Sequence, residues 1–166
     1  MSHESPLNIN YQELETLLSN GQWQRADQET NQLLERLEKI ERVQRKSARE
    51  DIQIIDKIWM QYSGQRFSFT KQFEIYRNCG GSSDFSRSSN QERNAYREFC
   101  RQVGWSEGLG LLRGSYGRGK LTFSIDAPVG HLPSFAKRTR LESDIMDMVD
   151  TGKPEWDWGS IIKKLS

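Results

Sequence analysis

The side chains best suited to acid–base or metal chemistry are few, and their spacing does not serve it. The sequence holds two histidines, His3 in a polar N-terminal tail and His131 within Gly130-His131-Leu132-Pro133. Neither has a Cys, Asp or Glu at metal-ligand spacing, and no CxxCH run offers covalent haem attachment. His131 reads instead as a turn residue that satisfies backbone groups. Cys79 and Cys100 are the only two cysteines, lack CxxC spacing, and read as reduced, packed thiols. Gly114-x-x-x-x-Gly119-Lys120 nearly spells a phosphate loop. Leu121 nevertheless stands where Ser or Thr would hold magnesium, and a strand is expected where a helix should open. Carboxylates are plentiful, but no pair has surroundings that would set one as acid and the other as base. The inventory points away from an enzyme.

The elements that would carry any site fit one domain. At 166 residues the chain is long enough to bury roughly two-thirds of its unfolded surface. Lys plus Arg is 24 against 23 for Asp plus Glu, so a net charge of +1 gives no field for nucleic acid. A hydrophobic content of 34% with 10% aromatics implies a modest core in which large rings carry much of the burial. No apolar run approaches the roughly 18 residues that span a bilayer, and MSHESPLNIN has no apolar signal core. A soluble protein that is not secreted is expected.

Residues 1–10 are expected to be flexible, and 11–166 to form a single helical domain. Leu14, Leu17 and Leu18 mark a short helix from Tyr11 to Ser19, ended by Asn20-Gly21. Trp23, Ala26, Thr30, Leu33, Leu34, Leu37, Ile40 and Val43 keep a 3.6-residue period through the longest helix. The basic run Arg42, Arg45, Lys46 and Arg49 reads as a solvated face near the negative end of its dipole. From Thr30 to Asp51 the pattern reads as continuous helix, with Asp51 capping the next segment, Ile54 to Tyr62. Ser63-Gly64 stops that segment, and Thr70 is expected to cap another carrying Phe73 and Tyr76. Residues 80–90 have loop composition. Tyr96, Phe99, Cys100 and Val103 then share a helical face. Six glycines between Gly104 and Lys120 exclude a helix there. Leu121–Ile125 alternates as a strand, with Leu109–Arg113 as its hairpin partner. Leu141, Ile145 and Met148 suggest one more short helix, and Trp156, Ile161, Ile162 and Leu165 a final turn or two. The fold expected is mainly α, a compact cup-shaped helical domain with one small β-hairpin.

Three ordered motifs carry a resemblance. Ile55-Asp56-x-x-Trp59-x-x-Tyr62-Ser63-x-x-x-Phe67-x-Phe69-x-x-Gln72 resembles the central signature of the genomes-uncoupled tetrapyrrole-binding proteins, the porphyrin-binding activators of magnesium chelatase. Leu17-Leu18, Gly21, Trp23 and Ala26-Asp27-x-Glu29-Thr30 are similar to that family's opening helix pair. Val103-Gly104-Trp105, Leu121-Thr122-Phe123 and Ala127-Pro128-x-Gly130-His131-Leu132-Pro133 are similar to its closing part. The resemblance runs from about Tyr11 to Pro133.

It implies a non-enzymatic protein of chlorophyll biosynthesis, in a cyanobacterium-like cytoplasm or a plastid stroma. The implied ligand is protoporphyrin IX or Mg-protoporphyrin IX, held without a covalent bond. The implied partner is the large porphyrin-binding subunit of magnesium chelatase, with no nucleic acid, no transmembrane segment, and peripheral membrane contact compatible with the sequence. A porphyrin asks for an apolar, aromatic-lined cleft and cations at its propionate edge. Tyr116, Leu121 and Phe123 are the candidates for the wall; Lys137, Arg138 and Arg140 are the candidates for the rim. For Leu121 and Phe123 the plain alternative is the buried face of a hairpin, and for the three cations a solvated basic turn. Several positions depart from the family pattern. Asn31 stands where an arginine can face the ligand, and the Gly114–Gly119 loop lacks tryptophan. The Thr30–Asp51 connection is also shorter than the family's helix and loop. The alternative is therefore a divergent paralogue with weak or no porphyrin binding, acting as a protein-interaction or sensor module. The acids of the 142–166 segment, with Trp156 and Trp158 exposed, would suit partner docking, while a helix closing the core is the plainer reading.

Overall fold

The computed structural model of the protein describes residues 4–82, 90–106, 120–135 and 158–165. Helix α1 (Gln12–Ser19) buries Leu14, Leu17 and Leu18 against α2 (Trp23–Gln44), the two joined by a tight turn in which Gly21 takes a positive φ. The apolar stripe of α2 (Ala26, Leu33, Leu34, Leu37) is buried as its period requires, while Val43 near its end is exposed. The chain does not continue as helix to Asp51. Arg45 takes a left-handed conformation (φ 56°), and α3 (Arg49–Tyr62) begins four residues later. Glu41 fixes the break by accepting the Ala48 N–H at 3.1 Å, and its carboxylate also receives Lys164 Nζ at 2.6 Å.

Asp51 does not cap α3. It lies within the first turn, fully buried, and its Oδ1 accepts the Tyr11 hydroxyl at 2.5 Å and the Ser5 hydroxyl. Burial and the Asp51 carboxylate push the Tyr11 phenol well above its usual range. Ile9, next to these anchors, is also buried.

The α3–α4 corner is the aromatic centre. Trp59, Phe67 and Phe69 are fully buried, and Trp23 meets Phe67 edge-on at 5.6 Å and Trp59 at 6.2 Å. Trp59 disposes of its polar edge by donating Nε1–H to Thr30 Oγ1 at 2.8 Å. Helix α4 (Phe69–Asn78) is capped by Ser68, whose hydroxyl accepts the Lys71 N–H at 2.9 Å. Thr70, the expected cap, instead donates its N–H (2.9 Å) and hydroxyl (2.6 Å) to the Asp56 carboxylate.

Helix α5 (Asn90–Gln102) packs on α4, with Phe99 buried and Tyr76 donating to Glu92. Helix α6 (Trp158–Leu165) lies on α3 and α4 with Ile161 and Ile162 buried. Trp158 is not exposed, as the partner-docking alternative had it. Only 6% accessible, it stacks on Phe99 at 5.2 Å and meets Tyr76 edge-on at 5.2 Å. The plainer reading, a helix closing the core, holds for this element. Of the two cysteines, Cys100 is buried and Cys79 partly so, both as free thiols.

The architecture is mainly α, with six helices and no strand among the described residues. The expected β-hairpin is not seen. Leu121–Ile125 is irregular, because its backbone polar groups are drawn to side chains and turns rather than to a ladder, while the Leu109–Arg113 side lies outside the described residues. The expected Leu141–Met148 helix and Trp156 also lie outside them.

Candidate functional site

Residues 120–135 form an irregular strip with almost no regular backbone pairing of its own, so the helices must hold it in shape. They do so through polar side chains, of which Gln72 and Asp27 are buried and Arg66 is half-buried. Arg66, at the α3–α4 corner, donates Nε–H to Ile125 O at 3.0 Å and Nη2–H to Ala127 O at 2.9 Å, while its own carbonyl accepts the Gly130 N–H at 2.8 Å. Gln72 of α4 donates Nε2–H to Gly130 O at 3.1 Å and Pro133 O at 2.8 Å. Asp27 of α2 accepts the Ser134 N–H and hydroxyl, both at 2.6 Å. Trp105, just past α5, donates Nε1–H to His131 O at 2.9 Å. The Leu132–Pro133 peptide is cis.

His131 is fastened through both ring nitrogens. The Thr122 N–H donates to Nε2 at 2.8 Å, so Nε2 carries no proton, and Nδ1–H must donate to Val103 O at 2.6 Å. The ring is thus a neutral bridge between two backbone segments, the turn role expected from the sequence. Gly130 has φ +78°, and a Cβ there would come within 2.8 Å of Ile75 Cδ1 and 3.1 Å of Val103 Cγ1. A side chain there is disfavoured by conformation, and Ile75 and Val103 would have to shift to admit it.

On this strip Leu121 and Phe123, two of the candidate wall residues, are half-buried and packed against the core. Thr122, the residue between them, is the one His131 holds. Tyr116, Lys137, Arg138 and Arg140 lie outside the described residues. Ile125 and Val129 add exposed apolar surface to the same strip. Asn31, on α2 where an arginine was expected, is 5% accessible; its Nδ2–H donates to Asp27 O at 2.9 Å while its Oδ1 has no partner among the described residues. No group of three His, Cys, Asp or Glu suited to a metal ion occurs among the described residues.

Sequence reasoning did not assign Arg66, Gln72 or Asp27 to this strip. Gln72 and Asp27 stand in the sequence only as letters of the matching motifs. The available signal was their type. A Gln and an Asp on the core-facing sides of amphipathic helices are costly there unless they bond something distant.

Comparison with known proteins agrees with this geometry. No curated protein matches the sequence. Among solved structures, GUN4 from Chlamydomonas reinhardtii is similar at 23% identity and a TM-score of 0.59, over 99% of this chain and 92% of that one. The ligand-free structure of Arabidopsis thaliana GUN4 is similar at 22% identity and a TM-score of 0.55, over 80% and 85%. At these identities the likeness concerns the fold. The profile described as GUN4-like matches residues 4–148, nearly the whole of the helical core and the whole 120–135 strip, and the chain belongs to that family.

Proposed function

We propose that this protein binds a tetrapyrrole without a covalent bond and regulates magnesium chelatase as a non-enzymatic partner of its large porphyrin-binding subunit. The observation that carries this reading is the family match over residues 4–148, which includes the strip bearing Leu121 and Phe123. The residues present suit the group in kind. A macrocycle needs apolar walls, and Leu121 and Phe123 keep part of their surface accessible instead of sealing it in the core. In this reading they form one wall of a helical cup with Tyr116, and Lys137, Arg138 and Arg140 meet the propionates. The ligand would supply the regulatory signal, and the protein its orientation and exclusion from water. Protoporphyrin IX and Mg-protoporphyrin IX are the species proposed, in a chlorophyll-making cytoplasm or plastid stroma. Among the described residues no helix is long and apolar enough to cross a membrane.

Asn31 favours a second reading, a paralogue with weakened affinity. A buried amide with an orphan acceptor offers no charge to a propionate. Burying the faces of a macrocycle gives on the order of 10 kcal/mol gross, against an association cost of about 4–15 kcal/mol. The loss of one cation then decides whether binding is measurable. Titration of the chain with protoporphyrin IX, followed by the Soret band and by tryptophan quenching, tests both readings. The proposed function expects saturable binding that weakens in Arg138→Ala/Arg140→Ala. Saturable binding at about micromolar or weaker affinity fits the second reading, and no saturable shift overturns ligand binding altogether.

A further inference from the structure

We infer that Trp158, on the C-terminal helix α6, is a positioning residue for the ligand wall, acting through the Gln72 amide. This deepens the proposed site and rests on that reading for its functional consequence, though its structural part stands alone. The Gln72 side chain is fully buried and committed at both ends. Its Nε2 donates to the Gly130 and Pro133 carbonyls, and its Oε1 accepts the Trp158 indole N–H at 3.1 Å.

An amide has two orientations. The flipped one would set its oxygen against two carbonyls and its NH2 against an N–H, so the indole donor and the carbonyl pair select the same orientation. Remove the indole donor and Oε1 is left without that bond in a site closed to water, and the amide loses what selects its orientation from the α6 side. The next link is the Gly130–Pro133 turn, which carries His131. The His131 ring accepts the Thr122 N–H, and Thr122 separates the two wall residues Leu121 and Phe123.

Four contacts therefore run from α6 through α4 and the turn to the wall. All the intermediate groups are buried: Trp158 and Gln72 at one end, Leu132 and His131 at the other. The near end lies at residues 158–165, while the family match ends at residue 148. A segment outside the matched core thus sets the orientation of residues inside it. Docking of α6 and shape of the wall become one linked equilibrium, so whatever loosens the helix weakens the ligand.

Trp158→Phe retains an aromatic ring beside Phe99 and removes the indole N–H together with part of the ring surface. Amide hydrogen exchange on the full chain should show Thr122 and Gly130 exchanging about tenfold faster in this variant, with the amides of Ile55–Trp59 in α3 unchanged. Porphyrin affinity should fall about 5- to 30-fold, as the loss of one buried hydrogen bond allows. Gln72→Met, which leaves Trp158 and its packing in place, should give the same exchange pattern. Adding Trp158→Phe to Gln72→Met should then change nothing further. Unchanged Thr122 exchange in both single variants, uniform acceleration across α3 and α5, or additive effects in the double variant would each overturn the relay. If the native chain binds no porphyrin, ligand binding fails while the exchange pattern still decides the relay.

Discussion

Asp27→Ala offers the most direct test of how the strip is held. The Asp27 carboxylate is wholly buried, and it accepts two hydrogen bonds from one residue, the N–H and hydroxyl of Ser134, each at 2.6 Å. Bonds to a charged acceptor are worth about 1.5–3 kcal/mol each, so the pair amounts to roughly 3–6 kcal/mol. Burying the carboxylate costs part of that, and alanine relieves this cost while orphaning a buried N–H. The net loss expected is about 2–4 kcal/mol. For a chain of this length each kcal/mol moves the melting temperature by about 2–4 °C, so a fall of about 8 °C is expected. Urea unfolding should show a lower midpoint at unchanged slope. Asp27→Asn, which keeps one acceptor oxygen, should lose less. In a double-mutant cycle with Ser134→Ala the two changes should couple by about 1 kcal/mol or more. A melting temperature within about 2 °C of the native value, or strict additivity in the cycle, would refute the claim that this pair ties α2 to the strip.

Other positions give shorter tests. Phe69→Ala removes a fully buried ring at the α3–α4 corner and should cost about 3–5 kcal/mol by chemical denaturation. A loss below about 1 kcal/mol would mean that the corner repacks freely. Gly130→Ala must adopt φ +78° with its Cβ 2.8 Å from Ile75 Cδ1, so overpacking alone should cost about 1–3 kcal/mol. Calorimetry showing an unchanged melting temperature would contradict that geometry. Burial raises the Asp56 pKa above its ordinary 3.8, against opposing hydrogen bonds from Thr70. The folded chain then holds this proton more tightly than the unfolded chain does. Its contribution to stability is complete below pH 3.8 and is lost as pH rises through the folded-state pKa. Asp56→Asn should remove that component from the stability–pH profile, and an unaltered profile would show that Asp56 does not produce it.

The helices were largely legible because their period and their stops are local. The Ala26–Leu37 stripe of α2 and the Tyr96–Phe99–Cys100 face of α5 follow from spacing alone. The break at Arg45 was not legible, since no Gly or Pro marks it. It depends on Glu41 reaching Ala48 and on Lys164 from the far end of the chain. Ser68 and Thr70 are both capping types two positions apart, and only the presence of Asp56 decides which one is diverted. Alternation at Leu121–Ile125 marked Leu121 and Phe123 as turned toward the core, but not the exposed Ile125. It could not tell a strand from an irregular strip, because Thr122 finds its partner on the His131 side chain. Of the candidate site, Leu121 and Phe123 were legible as apolar residues packed toward the core. The polar groups that aim them were not, because each acts across a long stretch of sequence.

Those separations also bear on the order of folding. The Asp27–Ser134 bonds span 107 residues, and those from Arg66 and Gln72 to the strip span about 60. Closing such loops costs chain entropy before any bond forms, and the strip has little local structure with which to offset it. The α1–α4 helices, whose contacts are nearer in sequence, can assemble first and present Asp27, Arg66 and Gln72 as a ready template. The expected order is therefore that the strip joins late, after the rate-limiting barrier. Substitutions that cut its anchors will speed unfolding while leaving refolding nearly untouched. The lifetime of the candidate binding surface, rather than the rate at which the chain finds its fold, is therefore what these three side chains govern.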